Sequence, residues 1–237
     1  PHRHAPRLAG VTQRRLTAVL ISGHGSNMQA LLHAARDPGY PAAIVLVVSN
    51  RPQAPGVALA AAAGVPVAVI DHRDFARDRA AHEAAIDAAL RQVGAEIVCL
   101  AGYMRLLTPF LVAAWRGRML NIQPSLLPAF PGLHTHQRAL AAGVKLHGCT
   151  VHLVTDTMDE GPILAQAAVP VLPGDTEDAL AARVLAQEHL IYPAALAAFA
   201  SGRAAAAPAP EAALANPLAA PATNKCANPL PGAAAVE

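Results

Sequence analysis

The chain has 237 residues, enough for one large domain or two small ones, and its 54% hydrophobic and 14% charged content describes a globular protein with an aliphatic core. A formal charge of +2, with no lysine and arginine stripe and no interleaved aromatics, excludes a nucleic-acid footprint. The longest apolar runs, LTAVLIS and AAIVLVVS, fall far short of the ~20 residues that a membrane span needs. The basic start PHRHAPRLAGVTQRR lacks the apolar segment of a signal peptide, so no export is expected. Cys99, Cys149 and Cys226 have no paired or CxxC spacing and read as reduced thiols in a cytoplasmic setting.

Taken in order, the first half of the chain alternates β-branched runs with helix-period segments. TAVLIS precedes a helix in which Met28, Leu31, Leu32 and Ala35 fall at i, i+3, i+4 and i+7. IVLVVS precedes GVALAAAAG, VPVAVI precedes a helix over 78–93, and EIVCLAG follows. Repeated βα units of this kind demand a parallel sheet covered by helices on both sides. After MLNIQP the rhythm changes. GCTVHLV and PILAQAAVPVL are separated only by TDTMDEG, a connection too short for a crossover helix, which predicts an antiparallel pair. A last helix starts at GDTEDALAARVLAQEHLIYP, with Asp175 or Thr176 as cap and Pro193 as its end or a kink. The expected fold is α/β: a doubly wound, mostly parallel, Rossmann-like sheet with an antiparallel C-terminal strand pair. It should occupy residues 15–202, between disordered tails over 1–14 and over the Ala/Pro-rich 203–237.

Pro124 biases Gln123 toward extended geometry, making it the last residue of its strand. Side chains two apart share a strand face, so Asn121 and Gln123 project together at the strand end. Doubly wound sheets bind ligands outside the carboxyl ends of their strands. The GHGSN turn follows the first strand there, with Gly25, Ser26 and Asn27 at the N–H groups of a helix start that can bind phosphate. GYMRLL follows the fourth strand. Glu188 interrupts an apolar stripe of Leu180, Val184 and Ile191, as either a ligand contact or a carboxylate at the edge of a solvated face. Asp156, Asp159 and Glu160 read by default as a solvated acidic turn. His134, His136, His147 and His152 raise a metal, but no HExxH or Cys/His ligand set accompanies them, and no metal is expected.

VLISGHGSNMQALL, AGYMRLL, GRMLNIQPSLLPAFPGLHTHQRAL, HGCTVHLVTDTMDEGPILAQ and AQEHLIYP, in this order, resemble the folate-dependent phosphoribosylglycinamide formyltransferases. The resemblance implies transfer of a formyl group from 10-formyltetrahydrofolate to glycinamide ribonucleotide in purine biosynthesis, without metal. It implies the ribonucleotide phosphate on Gly25, Ser26 and Asn27, and Glu188 on the glycinamide or ribose. Folate would lie along Met104, Arg105, Leu106 and Leu107 and along the loop of Thr155 and Asp156, met by Arg79 or by its competitor Arg77. Catalysis would rest on Asn121, Gln123 and Asp159. Where the family has NIHPSLLP, this chain has NIQPSLLP, so an amide replaces an imidazole and a slowed enzyme is expected. The alternatives are a non-catalytic folate- or nucleotide-binding homologue and a formyltetrahydrofolate hydrolase. Small-molecule substrates are the expected partners, in a monomer or a homodimer.

Overall fold

The computed structural model describes residues 13–76 and 78–203. The tail expectations therefore fall almost wholly outside the described residues, as do Arg77 and Cys226.

Within them, β1 (Arg15–Ile21), β2 (Ala42–Ser49), β3 (Val67–Val69), β4 (Ile97–Leu100), β5 (Met119–Gln123), β6 (Leu146–Leu153) and β7 (Ile163–Pro170) form one sheet in the order β3-β2-β1-β4-β5-β6-β7. β1 to β5 pair parallel, while β6 runs antiparallel to both β5 and β7. This is the Rossmann-like sheet and antiparallel pair that the sequence predicts. The helices are α1 (Ser26–Ala34), α2 (Pro55–Ala62), α3 (Arg79–Gln92), α4 (Pro109–Ala114), α5 (Thr135–Ala141) and α6 (Glu177–Ala200), with a 3-10 turn at His72–Phe75.

Strand alternation divides the core into two layers. Val19, Ile21, Cys99 and Leu120 face α1 and α6, packing with Leu31, Leu180, Val184, Tyr192 and Leu196. Ala18, Leu20, Val98 and Met119 face α3 and α4, packing with Ile86, Leu90, Leu111 and Trp115. Full burial of one such large aliphatic or aromatic side chain contributes about 1.5–3 kcal/mol. The β6–β7 return is tight. A Cβ on Gly161 would lie 1.7 Å from the Leu153 carbonyl oxygen, so only glycine fits there.

Two choices that the sequence leaves open at the last helix are resolved. Thr176 caps α6, accepting from the Ala179 N–H at 3.2 Å, whereas Asp175 pairs with Arg183. Pro193 does not end α6, which continues to Ala200. An interior proline costs about 3 kcal/mol or more. Burial of Tyr192, Ala195, Leu196 and Ala200 around it outweighs that cost, and the Pro193 carbonyl also accepts from the Tyr40 hydroxyl at 2.6 Å.

Candidate active site

In the sheet register Leu20 lies beside Leu100 and Leu100 beside Asn121. With strands spaced by about 4.8 Å, the end of β5 stands about 10 Å from the end of β1. That edge gathers three groups of residues.

The first is the glycine turn. Gly25 adopts φ 75 at the N-terminus of α1, a left-handed conformation that suits glycine. Its carbonyl accepts from Gln29, the first intrahelical bond, so the N–H groups of Ser26, Asn27 and Met28 have no acceptor within the helix. Among the described residues no side chain caps α1, and the Asn27 amide instead donates to Glu188 Oε2 at 2.6 Å. Both groups are buried, and burial raises the Glu188 pKa against the opposing bond from Asn27. Glu188 is thus not at a solvated edge. It reaches the turn from α6, and among the described residues Asn27 Oδ1 has no hydrogen-bond partner.

The second is the loop between β4 and α4. Met104 and Leu106 are 69% and 63% exposed, whereas Leu107 packs on the α3–α4 layer. The loop is clamped along its length. The Met104 N–H donates to Ser22 Oγ at 2.8 Å, the Arg79 guanidinium donates to the Leu106 carbonyl, and the Thr108 N–H donates to Glu83 Oε1 at 2.7 Å. The Thr108 hydroxyl donates to the other Glu83 oxygen, and Glu83 is buried. Arg79 therefore shapes this loop with its guanidinium, while Arg105 is half-buried on it.

The third is the end of β5. Asn121 and Gln123 share a face, opposite His152 and Thr150 of β6. His152 Nδ1 lies 3.0 Å from the Leu153 carbonyl, which can only accept, so Nδ1 carries the proton. Its Nε2 then accepts from Asn121 Nδ2 at 3.1 Å. Burial lowers the His152 pKa, favouring this neutral form, while the Leu153 carbonyl and Asp159 oppose the shift. Asp159 Oδ1 lies 3.7 Å from His152 Nε2, and both side chains are almost fully buried. Asp159 Oδ2 accepts from the Gly132 N–H at 2.7 Å, and the Gln123 amide donates to the Gly132 carbonyl at 2.7 Å. Asp159 itself adopts φ 59.

Asn121, Gln123 and Asp159 thus converge on Gly132 and His152, and Asp159 is not the solvated turn residue that its acidic neighbourhood suggests. Asp156 lies apart, on the surface with Arg116 at 2.8 Å, and the Thr155 hydroxyl donates to the Thr157 carbonyl at 3.1 Å. By sequence alone His152 stands out only as one of four histidines that raise a metal. The signal that finds it is the β5–β6 register, which sets it across from Asn121. Among the described residues no three His, Cys, Asp or Glu side chains are grouped to hold a metal.

The formyl transferase family profile matches residues 15–196. The trifunctional purine biosynthetic protein adenosine-3 of Drosophila melanogaster is 49% identical over 194 residues, which cover 81% of this chain and 14% of that longer protein. The phosphoribosylglycinamide formyltransferase of Escherichia coli is 44% identical over 185 residues, covering 78% of this chain and 87% of its own length. The crystal structure of phosphoribosylglycinamide formyltransferase from Brucella melitensis matches with a TM-score of 0.77 at 60% identity, over 80% of this chain and 97% of that one. Family profile, sequence identity and sheet topology agree: the chain belongs to the formyl transferase family.

Proposed function

We propose that the chain transfers the formyl group of 10-formyltetrahydrofolate to the amine of glycinamide ribonucleotide, the formylation step of purine biosynthesis. One observation carries this reading: Asn121, oriented by His152 beside Asp159 at the carboxyl edge of the sheet, about two strand spacings from the glycine turn. The ribonucleotide phosphate accepts from the free N–H groups at the start of α1, and Glu188 receives the ribose or glycinamide part. Folate lies along Met104–Leu107, on a surface that Ser22, Arg79 and Glu83 hold in shape.

The amine attacks the formyl carbon. A C–N bond forms, the carbonyl oxygen becomes an oxyanion, and collapse breaks the bond to the folate nitrogen while a proton passes from the amine to that nitrogen. Asn121 Nδ2 has two hydrogens, of which His152 takes one, leaving the second for the oxyanion. Gln123 can donate a hydrogen bond but cannot deliver a proton. Loss of positioned acid–base help costs about 10²–10⁴-fold, while approximation of the two substrates remains, which makes this a slow enzyme. The Gln123→His variant tests the reading. Formyl transfer, followed by release of tetrahydrofolate, is expected to accelerate by about 10²–10⁴-fold. An unchanged rate would overturn the assignment of position 123.

The engagement of the Gln123 amide by the Gly132 carbonyl favours a second reading, a binding homologue that retained the cleft without the chemistry. Calorimetry with both ligands, run beside a turnover assay, separates the two: tight binding with no product above background identifies the binder. Formate release in the absence of the ribonucleotide identifies a hydrolase.

A further inference from the structure

A cleft of about 530 Å³ opens on the other side of the glycine turn, at the carboxyl ends of β1, β2 and β3, lined by Ser22, Gly23, His24, Arg51, His72 and Arg73 among others. Formyl transfer as derived above makes no use of it. Gly25, Ser26 and Asn27 are not in its lining, and the Asn27 side chain turns away from it toward α6. The end of β2 beside β1 is nevertheless where doubly wound folds hold the sugar of a nucleotide, and where an arginine takes a sugar phosphate. The volume lies within the range of small-molecule sites.

The lining has one sign of charge. It contains two arginines and two histidines and no carboxylate. Asp71, just outside the lining, pairs with Arg73, accepting from its Nε and Nη2, and its Oδ1 also lies 3.7 Å from His72 Nδ1. Arg51 is exposed, and among the described residues no carboxylate pairs with it. Its backbone is held by Ser49, whose hydroxyl donates to the Arg51 carbonyl at 2.8 Å and accepts from its N–H at 3.2 Å. Beside it the wall is rigid and buried. Ser22 Oγ donates to Asn50 Oδ1 at 2.6 Å, and His72 Nδ1 donates to the Asn50 carbonyl at 2.9 Å. With Nδ1 engaged there, Nε2 is the ring nitrogen of His72 left for a ligand.

We infer that this cleft is a second anion site, which takes the phosphate group of a small sugar phosphate, with Arg51 as the principal cation and His24 and His72 beside it. The site stands whether or not the chain transfers formyl groups.

The test is an NMR titration of the full chain with inorganic phosphate and with ribose 5-phosphate, at constant ionic strength held with chloride. Saturable shifts are expected at Gly23, His24, Arg51, His72 and Arg73, with ribose 5-phosphate binding at least threefold tighter than phosphate. Arg51→Glu is expected to weaken both at least tenfold and Arg51→Gln severalfold, while glycinamide ribonucleotide still shifts Gly25–Asn27 in both variants. Phosphate shifts confined to Gly25–Asn27, affinities within twofold of the parent in Arg51→Glu, or displacement of the probe by saturating glycinamide ribonucleotide would each overturn the inference. Equal affinity for the two probes would overturn the sugar-phosphate assignment.

Discussion

Asn121 carries its two N–H groups on one nitrogen, and the tautomer of His152 decides where each points. Because His152 Nδ1 donates to Leu153, its Nε2 must accept, which turns the Asn121 amide with nitrogen toward the imidazole. Asn121→Ala removes the proposed oxyanion donor and should lower kcat by about 10²–10³-fold, checked by steady-state kinetics with both substrates saturating. A comparable rise in KM with kcat unchanged would place Asn121 in ground-state binding instead. The sequence exposes Asn121 and Gln123 because Pro124 marks the strand end and alternation sets the face. It does not expose the partners. The Gly132 peptide, gripped by Gln123 at its carbonyl and by Asp159 at its N–H, is 9 residues from one and 27 from the other. No local pattern encodes such a meeting.

Among the elements, α3 governs the loop that follows β4. Glu83 is buried and accepts from both the N–H and the hydroxyl of Thr108, the residue that opens α4. Glu83→Ala leaves the Thr108 donors without their acceptor, at a cost of about 1–3 kcal/mol. Urea unfolding should report that loss, and KM for the folate should rise more than KM for the ribonucleotide, because Met104–Leu107 lose their anchor. The βα repeats are legible because each strand is a β-branched run and each helix spans two or more turns. α4 and α5, of six and seven residues, are too short to display a helical period, and neither is foreseen. Pro193 is ambiguous in sequence. A local rule allows an ending or a kink, and packing against the sheet carries α6 on past the proline.

For the molecule as a whole, acid is a specific weakness. His147 is 1% exposed, packed edge-on against the rings of His136 and Phe130. Burial and the adjacent His136 push its pKa down from 6.5 to about 4. His136 is also lowered by burial, which Glu177 opposes. The unfolded chain therefore takes up the His147 proton first. The stability due to the neutral ring is complete above about pH 6.5 and is lost as the pH falls from there through 4. The loss is on the order of 2–3 kcal/mol. Denaturant unfolding at pH 7, 5.5 and 4 should trace it, and His147→Phe should flatten the slope.

The hydrogen bond between Asn27 and Glu188 spans 161 residues. A ribosome that has completed the glycine turn must therefore polymerise nearly the whole domain before the partner of that turn exists. Until α6 emerges and docks, Asn27 lacks the Glu188 carboxylate that it bonds in the folded chain. On the proposed function, chains truncated before residue 188 should bind the ribonucleotide far more weakly than the full chain, which calorimetry on the two checks.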